Sequence, residues 1–278
     1  ILIRSPFNFI LRISKGDRMP KKPKPIPCIL IVKDAFFLSP HMVRVVLTSP
    51  ELESRPTGCE GANCKIFIPK EKQSPDELIE QITNGPRPTI RTYTVRNFRK
   101  DVLELDIDFV VHSDGGPASD FAFNAKPGDF LGFRGPSEVK IKDYYADWYL
   151  LAADMSALPV VAATLEKLPR NAKGMAVIEV QSEEDVQNID SPLGVEMNWL
   201  IHSEPHTSSR AQETMIRAKN FPKGIIQTCI AGESGVIKSL RKFFKEETQI
   251  PNEDIYISGY WKIGLIEDEH QAQKRLER

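Results

Sequence analysis

Arg91-Thr92-Tyr93-Thr94-Val95-Arg96 brings two fixed cations, an aromatic ring and two hydroxyls into six residues. Read as a strand, it puts Arg91, Tyr93 and Val95 on one face and Thr92, Thr94 and Arg96 on the other. A flat ring beside a hydroxyl and near guanidinium groups suits a flavin nucleotide. Tyr93 can lie against the isoalloxazine, Thr94 can bond a ring heteroatom, and Arg91 and Arg96 can pair with phosphate oxygens in fork geometry. The same six residues equally suit an exposed strand whose arginines lay their stems along the surface.

The neighbouring segments are read the same way. Cys28 to Val32, His41 to Thr48, Asn63 to Ile68 and Phe130 to Phe133 have the composition of short strands set off by Gly and Pro. In Val102 to Val111, Leu103, Leu105, Ile107 and Phe109 alternate with Glu104, Asp106 and Asp108, as in a strand with one buried face. Many short strands predict an antiparallel barrel or sandwich. Glu71 to Asn84 reads as a polar surface helix or loop inserted before the hexapeptide. After the alternating strand comes His112-Ser113-Asp114-Gly115-Gly116-Pro117-Ala118-Ser119. Its glycines let backbone approach a ligand, and Pro117 suits the first position of a helix whose free amides face an anion. That makes a candidate pyrophosphate seat; it is also an ordinary turn before a helix.

Taken together, Arg91-x-Tyr93-Thr94-x-Arg96 and His112-x-x-x-Gly116-Pro117-Ala118-Ser119 resemble the flavin site of siderophore-interacting proteins. These are ferric-siderophore reductases within the ferredoxin-NADP reductase superfamily, and the resemblance runs from about residue 25 to the C-terminus. It implies that FAD is held by Arg91, Tyr93, Thr94, Arg96 and His112, by Asp108 and Val110 on the alternating strand, and by Gly116, Pro117, Ala118 and Ser119.

At Asp147 the texture changes. Trp148 to Ala152, Ala176 to Val180, Asn198 to Ile201, Gln227 to Ile230 and Asp254 to Ile257 are apolar strands. Helical patterns over Ser156 to Leu168, Thr207 to Arg217 and Glu233 to Glu247 separate most of them. This alternation predicts a mostly parallel sheet covered on both faces, with ligands at the C-terminal strand ends. No Gly-x-Gly-x-x-Gly fingerprint is present. Asp154-x-Ser156-Ala157-Leu158-Pro159, Ala231-Gly232-Glu233 and Gly259-Tyr260-Trp261-Lys262 resemble the family's C-terminal signatures. The resemblance implies an electron donor, NADH, NADPH or a ferredoxin, beside the first two segments. Tyr260, Trp261 and Lys262 are taken as the substrate side, with Lys262 drawing anionic ferric complexes. Arg210 is a candidate for an NADPH phosphate.

The chain of 278 residues is long enough for two cores, and a net charge of −1 gives no global pull toward nucleic acid or an anionic membrane. The cysteines, Cys28, Cys59, Cys64 and Cys229, form no complete metal set and read as free thiols of a reducing compartment. Residues 1–18 mix apolar and basic side chains without a signal-cleavage pattern, and read as a leader or accessory segment. The expected fold is an antiparallel FAD-binding β-barrel over residues 19–144 and an α/β domain over 145–278. The expected function is FAD-dependent reduction of ferric siderophores by a cytoplasmic monomer, with no metal site and no stable membrane insertion. A general NAD(P)H:flavin or ferredoxin-type reductase and a non-enzymatic flavin- or siderophore-binding protein are the alternatives.

Overall fold

Two sheets carry the fold, one antiparallel and one parallel. The computed structural model describes residues 25–112 and 115–265, so the expected leader lies outside the described residues. The first sheet contains β1 (Cys28–Ser39), β2 (Met42–Thr48), β3 (Asn63–Ile68), β4 (Thr89–Thr94), β5 (Asn97–Arg99), β6 (Glu104–Val110) and β7 (Phe130–Arg134). Their spatial order is β4-β3-β7-β1-β2-β6-β5. The two outermost strands are consecutive in the chain, with only Val95 and Arg96 between them. The sheet therefore curls into a half-barrel that brings its two edge strands together at one corner, stitched by Val95 N to Ala62 O (2.9 Å) and Arg96 N to Asp106 O (2.9 Å). This corrects the expected strand over Arg91 to Arg96: it begins and ends two residues earlier, and Val95 and Arg96 form the closing corner.

The barrel fills with alternate side chains, among them Leu30, Val45, Ile107, Phe109 and Phe133, all nearly inaccessible to solvent. The inserted segment forms α1 (Pro75–Asn84), started by a capping box between Ser74 and Glu77, and its Leu78 is buried. It lies so close to β7 that a Cβ on Gly132 would stand 2.5 Å from Ile82 Cδ1. The glycine turn opens α2 (Pro117–Asn124), with Pro117 in the first turn as its fixed φ favours.

The second sheet contains β8 (Trp148–Ala153), β9 (Lys173–Val180), β10 (Gly194–Ile201), β11 (Ile226–Glu233) and β12 (Ile255–Trp261). All pairings are parallel, in the order β10-β9-β8-β11-β12. Every residue of β8 is buried, as a central strand covered on both faces requires. Leu151 and Ala153 pack with Leu158, Val161 and Leu165 of α3 (Leu158–Lys167). Leu150 and Ala152 pack on the other face with Leu240 and Phe244 of α5 (Ser234–Glu247), beside α4 (Ala211–Ala218). The chain order reverses between β8 and β11, which places a crevice at their C-terminal ends. Among the described residues, no helix is long and apolar enough to cross a membrane.

The two sheets share side chains. Met42, from β2 and fully buried, belongs to the core that packs under α3. Arg96 reaches Glu166 near the end of α3 through Nη1–Oε2 (2.8 Å) and Nη2–Oε1 (2.5 Å). Lys167 pairs with Glu60 at 2.8 Å. His41 places its backbone N 3.1 Å from Asp185 Oδ1 and its ring Nδ1 2.8 Å from Asp185 Oδ2.

Asp185 has no exposed side-chain surface. Burial alone would raise its pKa, but hydrogen bonds from His41 and Ser182 outweigh that and hold it below the usual aspartate value. A depressed carboxylate stabilises the fold above the unfolded pKa of about 4, and that contribution disappears as pH falls through the lower folded value. Asp185→Asn is expected to lower the thermal midpoint at pH 7 and to lose little further between pH 4 and pH 2.5 through this group. An equal wild-type and variant midpoint at pH 7 would remove the pin from the account.

All four cysteines are buried and unbridged. Burial pushes the Cys59 thiol up to about 11 and that of Cys229 to the same level, which makes poor nucleophiles of both.

Candidate active site

Between the two sheets lies a cleft of about 650 Å³. Its barrel wall is β4. Arg91, Thr92, Tyr93 and Thr94 all line it, so residues of both faces of the strand border the gap. The Tyr93 ring rests on buried Phe109, with centroids 4.4 Å apart and planes tilted by 40°, so its position is fixed from behind. Lys65 on β3 donates to the Thr92 hydroxyl. Thr94 is buried, and Tyr260 of β12 lines the same cleft from the opposite wall.

The floor is the loop from β6 into α2. Gly115 and Gly116 have φ of +70° and +134°, values that an L side chain rarely adopts. Gly116 caps α2, and the amides of Ala118 and Ser119 in its first turn have no acceptor within the helix. The Ser119 hydroxyl accepts from His112 N at 3.4 Å.

The opposite wall comes from the second sheet. Asp154 follows β8 and is deeply buried; burial pushes its carboxyl up, while hydrogen bonds from Ser156 and Trp261 oppose the shift. Glu179 on β9 is also raised by burial, against a hydrogen bond from Ser209 at 2.7 Å. His206, on the loop after β10, stands edge-on between His112 of the barrel (5.8 Å) and Trp261 of β12 (6.1 Å). Trp261, Lys262 and Glu233 complete this side. A flat-ring platform, an amide-lined turn and the switch point of a parallel sheet thus open into one space.

Residues 31–140 match the model of the siderophore-interacting FAD-binding domain, and residues 146–264 that of the siderophore-interacting protein. Over 249 residues the chain is 32% identical to ferric vibriobactin reductase ViuB of Vibrio cholerae, covering 86% of this chain and 91% of that protein. The chain belongs to the siderophore-interacting protein family. It is also 29% identical to an NADPH-dependent ferric-chelate reductase of Escherichia coli, over 81% of this chain and 88% of that one. The crystal structure of the siderophore-interacting protein SipS from Aeromonas hydrophila superposes with a TM-score of 0.77 at 33% identity, covering 92% of this chain and 99% of SipS.

As a siderophore-interacting protein the chain is a flavin oxidoreductase, and its barrel fits FAD. Among the described residues, the buried His112 Nδ1 has no hydrogen-bond partner. A Cβ on Gly116 would meet nothing within 4 Å among the described residues, so the turn leaves room of the kind a diphosphate fills.

Of the residues read from the sequence as flavin ligands, Arg91, Tyr93, Thr94, Val110, His112, Gly116, Pro117, Ala118 and Ser119 come together on the cleft. Arg96 does not, because its guanidinium is committed to Glu166 and approaches Asp108 at 3.8 Å. Asp108 borders the cleft, yet its carboxylate is held by Arg44 through two bonds of 2.7 and 2.8 Å. That carboxylate is committed to a structural ion pair.

On the donor side Asp154, Ser156, Pro159 and Glu233 line the gap. Ala157, Leu158 and Ala231 are core residues with almost no accessible surface, and Gly232 is buried behind Asp154. Tyr260, Trp261 and Lys262 line the cleft, whereas Arg210 stands at the surface beside Glu213. Sequence reasoning missed Glu179 and gave His206 no duty. Neither lies in a motif, and only the pairing of β9 with β8 and the path of the loop after β10 bring them in.

Proposed function

We propose that this protein reduces ferric siderophores, using bound FAD and electrons from NADH or NADPH, and releases the metal as Fe(II) in the cytoplasm. The observation that carries the reading is the single cleft in which the β4 platform and the α2 amides face the C-terminal ends of β8, β11 and β12. Bound FAD supplies the conversion between a two-electron donor and a one-electron ferric acceptor. The chain's residues bind and orient. Tyr93, backed by Phe109, and Thr94 would hold the ring system. The Ala118 and Ser119 amides would take the diphosphate at the Gly116 turn, with His112 Nδ1, which has no hydrogen-bond partner among the described residues, offering a further polar contact. Arg91 and Lys262 give the rim positive charge suited to anionic ferric complexes. Ferric iron bound by hard oxygen donors loses affinity on reduction, so the product metal leaves. The relatives named as ferric vibriobactin and ferric-chelate reductases support this assignment.

The test is an anaerobic absorbance titration of the FAD-loaded protein with NADH, then NADPH, then a ferric siderophore and a ferrous trap. Bleaching by a nicotinamide, recovery on adding the ferric complex and trapped Fe(II) are expected. A protein that cannot be loaded with FAD, or a reduced flavin that ferric complexes leave untouched, rejects the function.

A further inference from the structure

A parallel sheet of this order usually receives a ligand's phosphates on the amides that open the helices next to its switch point. Here both sets of amides already hold one of the chain's own carboxylates. Asp154 Oδ1 accepts from Ser156 N (2.9 Å), Ser156 Oγ (2.5 Å) and Ala157 N (3.2 Å), at the entry to α3. Its Oδ2 accepts from Trp261 Nε1 at 2.7 Å. Glu233 Oε2 accepts from Gly235 N (2.5 Å) and Val236 N (3.0 Å) at the start of α5, and Oε1 accepts from Ile263 N at 3.4 Å.

The glycines of these segments serve the same arrangement. A Cβ on Gly232 would stand 2.7 Å from Asp154 Oδ2, and one on Gly235 would stand 2.8 Å from Glu233 Oε2. They make room for internal carboxylates where a fingerprint loop makes room for a dinucleotide. Glu179 adds a third acidic group to this wall. An arriving pyrophosphate would find its donors occupied and like charge beside them.

We infer that Asp154 and Glu233 are donor-specificity residues that keep a pyrophosphate off the α3 and α5 N-termini. A pyridine dinucleotide is therefore held weakly, without a phosphate seat on the second sheet. This rests on the reading that the cleft receives the reductant.

Calorimetric titration of the FAD-loaded protein with NAD⁺, and separately with inorganic pyrophosphate, tests it. The wild type is expected to bind both weakly. Glu233→Ala, which frees the Gly235 and Val236 amides and removes a charge, should tighten NAD⁺ about tenfold, and Glu233→Gln, which removes the charge alone, should give a smaller gain. Asp154→Ala should act in the same direction, with flavin absorbance reporting whether that holoprotein is intact; if it is not, the Glu233 pair decides. Tight pyrophosphate binding by the wild type, or no gain in Glu233→Ala, overturns the inference. A separate arm reduces the flavin with dithionite and adds a ferric siderophore. Failure to reoxidise there rejects the reductase function while the binding result stands.

Discussion

Gly116→Val is expected to give a folded protein that no longer retains FAD. At φ +134° and ψ 148° the position lies in a region open essentially to glycine alone, and a side chain held there costs about 1–3 kcal/mol. Without ligand the turn can relax and avoid much of that strain. With FAD bound it has to keep the native path, and the new side chain projects into the space in front of Gly116, where a Cβ meets nothing within 4 Å. Strain and occlusion add, so affinity should fall by about a hundredfold or more. The measurement is flavin content after desalting, together with a fluorescence titration of the apoprotein. Gly128→Ala is the control: Gly128 also has positive φ (+97°) and open space, but sits in the turn before β7. It should cost stability and keep its flavin. Gly116→Val purified with a full complement of FAD would displace the diphosphate from this turn.

The second large effect is on stability. Arg96→Ala should lower the unfolding free energy of the apoprotein by about 3 kcal/mol, the lower end of the range for breaking a buried ion pair. The lower end applies because Glu166 is 31% exposed and can rehydrate, while Asp108 keeps its two bonds to Arg44. Urea unfolding without FAD reads the loss directly. A cycle with Glu166→Ala separates the pair from its surroundings: coupled residues give a double variant less damaged than the sum. If Arg96 held a phosphate instead, apoprotein stability would stay level and only flavin affinity would drop.

Arg96 also marks where reading a sequence reaches its limit. Strand alternation put Leu105, Ile107 and Phe109 on one face, the barrel core, but the single buried face it implied is wrong: Asp106 and Asp108 on the other face are buried too, held by Arg99 and Arg44. β3 occupies Asn63–Ile68 as read, since β-branched and aromatic residues there run between polar turns. The fate of Arg96 depended on Glu166, seventy residues away, and no local pattern announces such a partner. β5 has three residues, too few to display a period, so the closure of the barrel was invisible even though both its edges lie in one stretch. Ala231-Gly232-Glu233 drew attention for a good reason, since its glycine does accommodate an anion. That anion belongs to Asp154, which only the pairing of β11 with β8 brings alongside.

Met42 bears on how the two halves can be recombined. It leaves a strand of the barrel and is fully buried in the core shared with Tyr149, Leu151 and Leu158. A chimera joined between the sheets would therefore separate a plug from its socket. Exchanging the C-terminal half between relatives requires moving Met42, and the Arg96 and His41 contacts beside it, as one inherited unit.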